Sequence, residues 1–155
     1  MKDPRILKLA KSLINYAVEL KAGEKILIEI TGDAFPLAQA LVSEAYRAQG
    51  IPFLSFSHPT LMRELLKNAS EQQLTAMGRW ERAKMSEMQA YIGLRAGDNV
   101  NEWADVSPEK LRLYSENYVK PVHMEERVRN TRWCVLRYPN NSMAQLAQMS
   151  SEAFE

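Results

Sequence analysis

The stretch that decides the fold is residues 25–56, KILIEITGDAFPLAQALVSEAYRAQGIPFLSF. Residues 25–30 are rich in isoleucine and end just before Gly32, so they predict a strand with both faces at least partly buried. Apolar residues then recur with helical spacing as far as Gly50, a natural left-handed helix terminator. Residues 51–56 return to a strand pattern. A strand, helix, strand unit of this length is what a parallel crossover requires.

The flanking sequence continues the alternation of helices and strands. Further elements are predicted as a helix over residues 4–20, helices over 59–69 and 71–88, a strand over 90–94, a helix from 108 that Pro121 ends or kinks, a strand over 132–137 and a helix over 142–149. This alternation predicts an α/β fold, a mostly parallel sheet of about four strands with helices on both faces in three layers. We expect the first strand to be central.

The length and the end of the chain bear on its domain organisation. A chain of 155 residues without repeats or low-complexity linkers predicts one α/β domain over residues 1–155. Residues 150–152 predict the start of a further helix shortly before Glu155. From this we expect the chain to be a piece of a longer protein.

Charge, cysteine content and the start of the sequence bear on the expected partners and cellular location. The formal net charge of +1 gives no electrostatic reason to expect nucleic acid or an anionic membrane as a partner. Cys134 is the only cysteine, so no disulfide forms within the chain and a reducing compartment is expected. Because the sequence begins without the pattern of a secretion leader, the expected location is the cytoplasm.

Nucleotide binding and nucleophilic catalysis find little support in the sequence. The turn after the first predicted strand, residues 31–36, has a single glycine and adds Asp33, which would repel phosphate. Cys134 lies in an apolar predicted strand, where burial would raise the pKa of its thiol and favour a packing role. We therefore assign no catalytic residue.

The two histidines do not form a metal-binding pattern. His58 and His123 are far apart in the sequence, and neither lies in a His-Glu-x-x-His spacing. His58 is predicted to be a loop histidine, and His123 is predicted to lie on a charged surface turn beside Glu125 and Glu126. No metal ligand is assigned.

Two predicted loops are the candidate binding sites, because ligands of parallel sheets gather beyond the carboxyl ends of strands. The segment over residues 95–105 is also long for a connection in a compact domain. The candidates for a substrate-access or interface role are Thr31 and Asp33 after the first strand, and Arg95, Asn99, Asn101 and Glu102 after the third. Ordinary loop capping explains these residues about as well.

Four segments together resemble the amino-terminal region of the M29 metallo-aminopeptidases, the thermophilic or AmpS-type family. They are residues 131–139 (TRWCVLRYP), residues 143–147 (MAQLA), residues 3–5 (DPR) and residues 99–106 (NVNEWADV). The similarity runs from Asp3 to Phe154, and the block over residues 131–147 is specific.

The resemblance implies a cytoplasmic, dimeric exopeptidase that removes amino-terminal residues from peptides with two divalent metal ions of the zinc or cobalt class. In that family the Glu, His, Tyr and Asp ligands belong to a carboxyl-terminal catalytic domain, so none transfers to a position of this sequence. The resemblance also implies that the chain is the amino-terminal domain of a longer, two-domain enzyme, so the first hypothesis is a non-catalytic scaffold or access domain. The alternative is a stand-alone small-ligand-binding or assembly module, or a truncated paralogue that pairs with a full-length subunit.

Overall fold

A computed structural model describes residues 3–155. The strands are β1 Lys25–Gly32, β2 Ile51–Ser57, β3 Ala90–Ala96 and β4 Arg132–Arg137. The α-helices are α1 Pro4–Ser12, α2 Phe35–Arg47, α3 Pro59–Asn68, α4 Glu71–Ser86, α5 Pro108–Tyr114, α6 Val128–Asn130, α7 Asn141–Leu146 and α8 Ser151–Phe154. Two π-helical segments, Leu13–Ala17 and Ser115–Arg127, continue α1 and α5. Among these helices, none is both long and apolar enough to cross a membrane.

The four strands form one parallel sheet in the order β2-β1-β3-β4. In this register Ile28 of β1 lies between Leu54 of β2 and Ile92 of β3. The chain leaves β1 toward β2 on one side, and it leaves β3 toward β4 on the other. The strand order therefore reverses between β1 and β3, which is where parallel sheets form a ligand crevice at their carboxyl ends.

Alternation along the strands gives the sheet two apolar faces, each covered by helices. On one face the isoleucines of β1 meet buried residues of α1, α2 and β3; the largest residues of this core are Ile14, Ile26, Ile28, Leu37, Leu41, Ile92 and Leu94. On the other face Leu27 and Tyr91 pack with Met85 of α4, Met88 shortly after α4, and Val122 of the π-helical segment Ser115–Arg127. The predicted three-layer α/β fold with an internal β1 is thus confirmed.

The ends of two helices test the sequence-based prediction. The helix that begins at Pro108 continues through Pro121 in π-helical turns to Arg127, so of the two predicted outcomes, an end or a kink, the end is wrong. A proline removes one amide donor, and the segment that contains Pro121 is π-helical and not α-helical. After α2, the residue in the left-handed conformation is Gln49, with φ of 61°, and not Gly50.

The amino-terminus of α4 confirms the predicted cap and gives a test of it. The Ser70 Oγ accepts a hydrogen bond from the Gln73 amide at 3.1 Å. Replacing Ser70 with alanine should lower the free energy of unfolding by about 1 kcal/mol, because that amide loses its partner. Urea denaturation measures the change, and Ser70→Asp, which keeps an acceptor, is the control. Equal stability of Ser70→Ala and the unmodified chain would contradict the role of the cap.

Candidate functional site

A cavity of about 340 Å³ opens at the carboxyl ends of three neighbouring strands. Its floor is formed by Glu29 and Thr31 of β1, Ser55 and Ser57 of β2, and Arg95 of β3. Residues two apart on a strand point to the same face, so these five polar side chains share one face of the sheet. The apolar part of that face lies below them and the cavity lies above.

Aromatic and basic side chains form the opposite wall of the cavity. Trp103 and Tyr114 meet edge to face with ring centroids 5.9 Å apart, and Tyr114 stacks on Tyr118 at 5.0 Å. His123 and Arg127 of the π-helical segment complete this wall. The cavity therefore combines a polar floor with a largely aromatic side.

Glu29 is the centre of the hydrogen-bond network in the cavity floor. Its Oε1 accepts from the Arg95 Nη1 at 2.8 Å and from the Tyr91 hydroxyl at 2.9 Å, and its Oε2 accepts from the Arg127 Nη2 at 3.1 Å. The Arg95 Nη2 also donates to the Tyr91 hydroxyl at 3.1 Å. The guanidinium of Arg127 lies 3.7 Å above the Tyr91 ring, in a cation–π contact.

The charges of this network follow from its surroundings. Burial raises the pKa of Glu29, but the charges of Arg127 and Arg95 and the hydrogen bonds to the carboxylate outweigh burial, so the pKa lies below its ordinary value. Burial raises the pKa of Tyr91, and it raises that of Tyr114 to about 12. At neutral pH the phenols are uncharged, and two guanidiniums face one carboxylate.

Gly93 makes the contact between Tyr91 and Glu29 possible. It lies between Tyr91 and Arg95 on the same face of β3, where a Cβ atom would stand 2.7 Å from the Tyr91 hydroxyl. A glycine within a strand often marks the close approach of another group. Here that group is the tyrosine side chain, which lies over the glycine.

The prediction that His123 lies on a surface turn is wrong. It belongs to the π-helical segment Ser115–Arg127 and lines the cavity, with its Nδ1 3.4 Å from the Arg127 Nη1. Burial lowers its pKa, and the charges of Arg127 and Arg95 lower it further. Its neighbours include Arg95 of β3, Arg127 of its own segment and the Trp133 ring of β4, whose centroid lies 6.2 Å away, so the sequence around His123 gave no sign of this environment.

An NMR pH titration of the chain tests this environment. We expect the His123 imidazole to titrate below its ordinary pKa of 6.5 and to be neutral at pH 7. In Arg95→Gln the titration should move to higher pH, because one of the two nearby positive charges is removed. A His123 pKa above the ordinary value in the unmodified chain would contradict the structure.

Of the six candidates from the sequence, the structure brings two into the cavity. Thr31 and Arg95 both line it, and the Arg95 Nη1 donates to the Thr31 Oγ1 at 3.0 Å. Asp33 is exposed and lies outside the lining. The others also lie outside it: the Asn99 Nδ2 donates to Glu102 at 3.0 Å, and the Asn101 amide donates to the Asn99 Oδ1 at 3.0 Å.

The long segment after β3 supplies part of the cavity wall through Trp103. The indole Nε1 of Trp103 donates to the Pro59 carbonyl at 3.0 Å, which fixes the ring against the start of α3. Asp105 pairs with Arg63, and with Lys67 at 2.6 Å, both on α3. These contacts account for the length of the segment, because it must reach α3.

Three residues of the network were missed in the sequence. Glu29 carried a signal, since it is the only acid within the isoleucine-rich run of residues 25–30. Tyr91 shares its strand face with Arg95, but nothing in its own segment marked it as polar. Arg127 carried no signal, because it reaches Glu29 from 98 residues away in the sequence.

The prediction of a charged surface turn around Glu125 and Glu126 is wrong for Glu126. Its side chain is buried and accepts hydrogen bonds from the Asn130 Nδ2 at 3.0 Å and from the Arg82 Nε at 3.3 Å. Glu125 lies 3.7 Å from the same Arg82 guanidinium. The pair therefore ties α4 to the π-helical segment across 44 residues of sequence.

The described residues do not fit the two-metal centre that the resemblance implies. Over residues 3–155, no group of three or more His, Cys, Asp and Glu side chains is placed to hold a metal ion. Glu29 is the one carboxylate among the described cavity-lining residues, and both of its oxygens accept hydrogen bonds from guanidiniums. A cation placed there would face two positive charges.

The chain thus has a parallel α/β fold with a cavity of the small-molecule-binding kind, located where the strand order reverses between β1 and β3. The chain belongs to the thermophilic metalloprotease family (M29), whose family model matches residues 2–155. This confirms the resemblance seen in the sequence. A search of curated protein sequences found no match.

A solved structure, that of AmpT, confirms the fold. Wild-type AmpT from Thermus thermophilus is similar with a TM-score of 0.72 and 16% identity, over 97% of this chain and 42% of AmpT. An alcohol dehydrogenase superfamily protein from Novosphingobium aromaticivorans has a TM-score of 0.41 and 10% identity, over 96% of this chain and 45% of its own. This chain thus spans less than half the length of either protein.

Proposed function

We propose that this chain is the amino-terminal, non-catalytic domain of a metal-dependent aminopeptidase, in which it acts as a scaffold that shapes access to the metal site. The observation that carries this proposal is the M29 family match over residues 2–155. The match to 42% of AmpT over 97% of this chain is consistent with one domain of a longer protein. Peptides are the expected substrates of the parent enzyme.

The proposal includes the remaining features of the parent protein. Two divalent ions of the zinc or cobalt class bind to a carboxyl-terminal catalytic domain, which is the main partner of this chain. The parent enzyme is a cytoplasmic homodimer. None of these features depends on the cavity described above.

The proposed domain also helps assembly of the parent protein, and an exposed apolar surface supports this part of the proposal. On the edge strand β2, Leu54 and Phe56 are 60% and 54% exposed, and the Phe35 ring of α2 stacks on Phe56 with centroids 5.6 Å apart. Contiguous exposed apolar residues of this kind mark surfaces that other protein segments cover. A following domain or a second copy of the chain would bury them.

Activity assays of the purified chain over residues 1–155 test the proposal. With zinc or cobalt added, we expect no release of amino acids from leucine p-nitroanilide or from a leucyl peptide, while an aminopeptidase of known activity on these substrates serves as the positive control. Release that survives repurification and disappears with a chelator would contradict it. Reading the gene beyond the Glu155 codon is a second test, with about 200 further residues containing Glu and His motifs expected.

The second candidate function is a stand-alone small-ligand-binding module. It is favoured by the meeting of Thr31 and Arg95, from two separate strand ends, in one cavity. Calorimetry of the chain with peptides and nucleotides separates the two candidates, because tight binding favours the module. A third possibility, a paralogue that pairs with a full-length subunit, predicts co-purification with that subunit.

A further inference from the structure

We propose that the cavity between β1 and β3 binds the carboxylate of a small organic acid, whose apolar or aromatic body lies against Trp103, Tyr114 and Tyr118. The inference deepens the second candidate function, binding at this cavity. It does not depend on the peptidase assignment. Three properties of the cavity carry it: its charge, its unused hydrogen-bond donors and its aromatic wall.

The first property is an excess of positive charge in a partly enclosed space. Arg95 and Arg127 face the single carboxylate of Glu29, and His123 adds no negative charge. The Arg127 side chain is only 5% exposed and that of Glu29 14%. A buried charge is costly unless it is paired. A ligand with one negative charge would therefore pair the second of the two guanidiniums.

The second property is the surplus of guanidinium donors. Within residues 3–155 the buried Arg127 Nε has no hydrogen-bond partner. A guanidinium has five N–H donors. Arg95 uses three of its five, toward Glu29, Thr31 and Tyr91. Because its side chain is 34% exposed, Arg95 is the donor that a ligand in the cavity would reach first.

The third property is the contrast between the floor and the wall. The Thr31 Oγ1 and Ser57 Oγ lie 3.3 Å apart on the floor, beside Arg95, where they suit the polar end of a ligand. The aromatic rings stand opposite and suit its apolar body. A volume of about 340 Å³ lies at the lower end of the range for small-molecule sites, so the ligand is small.

The charge balance also selects among anions. Glu29 lies in the middle of the network and repels a ligand with two negative charges, such as the HPO4²⁻ form of inorganic phosphate, more strongly than one with a single charge. A carboxylate carries one negative charge, and its planar pair of oxygens matches the fork of a guanidinium. A monocarboxylate therefore fits better than a phosphate.

Isothermal titration calorimetry with matched ligands tests the inference. The probes are N-acetyl-L-phenylalanine and N-acetyl-L-phenylalaninamide, which differ only in the charge of one end, and inorganic phosphate. We expect the acid to bind about tenfold more tightly than the amide or phosphate. Equal affinity for acid and amide would leave a binding cavity but overturn carboxylate recognition. No binding of any probe below roughly 10 mM would overturn both.

Variants locate the binding. Arg95→Gln should abolish the preference for the acid, while Arg47→Gln should keep it, because Arg47 lies on α2 at the opposite face of the sheet and its side chain is 72% exposed. If Arg95→Gln does not fold, NMR of the unmodified chain shows where the acid binds. The acid should then shift the amide signals of Thr31 and Arg95 most, and shifts confined to other regions would overturn the inference.

The test of carboxylate binding is independent of the peptidase proposal. Release of amino acids is measured in a different assay, with different ligands and with metal ions present. A failure of carboxylate binding therefore leaves the family-based proposal standing, and a failure of that proposal leaves the cavity chemistry to be decided by calorimetry.

Discussion

Replacing Glu29 with glutamine is expected to lower the free energy of unfolding by about 3 kcal/mol. Glutamine has nearly the same shape, but it removes the negative charge that Arg95 and Arg127 share at 2.8 and 3.1 Å. Two guanidiniums, one of them with a side chain only 5% exposed, would then repel each other without a counter-charge. Removing one partner of a buried ion pair is among the most destabilising single changes.

Urea denaturation at pH 7 measures this loss, and Glu116→Gln is the matched control. Glu116 pairs with Arg112 at 3.0 Å, but both side chains are more than half exposed. An exposed pair of this kind contributes about 0.5 kcal/mol or less. If the two variants lost similar amounts of stability, the structural role given to the network would be wrong.

The same carboxylate predicts how stability depends on pH. The folded-state pKa of Glu29 lies below its ordinary value of 4.5, so its contribution is present above that value and is lost as pH falls through the lower folded-state pKa. Acid should therefore destabilise the unmodified chain more than Glu29→Gln, and the stability difference between them should shrink. A difference that stays constant down to the acid transition would contradict the charged network.

Replacing Gly78 with alanine is expected to lower the free energy of unfolding by about 2 kcal/mol. Gly78 is buried in the middle of α4, and a Cβ atom there would stand 2.0 Å from the backbone carbonyl oxygen of Asn117. The π-helical segment would have to move away from α4, since a backbone oxygen cannot turn aside as a side chain can. The cost of that movement exceeds the gain of about 1 kcal/mol that alanine brings to a helix.

The control for this variant is Ala83→Gly, at an exposed position of the same helix. It should lose about 1 kcal/mol, which is the helix-forming difference between the two residues without any close contact. Thermal and urea denaturation compare the two variants. A stabilised Gly78→Ala would show that α4 and the π-helical segment do not approach as closely as the structure has them.

Much of the fold follows from local sequence. The isoleucines of residues 25–30 predicted β1 because a strand in the middle of a parallel sheet buries both faces. The cap at Ser70 followed from the chemistry of free helix amides, which depends on neighbours three residues apart. At Pro121 the sequence left an end or a kink of the helix open, because the continuation depends on packing against α4 that the neighbouring residues do not reveal.

The site was predictable only where it follows from topology. Thr31 and Arg95 were found because the carboxyl ends of parallel strands meet at one edge of the sheet. The hydrogen bonds of Glu29 with Tyr91 and Arg127 join residues 62 and 98 positions apart in the sequence, so no local pattern predicted them. His123 and Glu126 were misjudged because their partners come from other elements as well as from their own.

The proposal that hydrolytic chemistry belongs to another domain is tested most directly by titrating the purified chain over residues 1–155 with Co²⁺ and following visible absorption. We predict no bands of protein-bound cobalt and no saturable binding tighter than about 10 µM. Two equivalents of tightly bound cobalt, with absorption bands that zinc displaces, would contradict the proposal and place a metal centre in this chain.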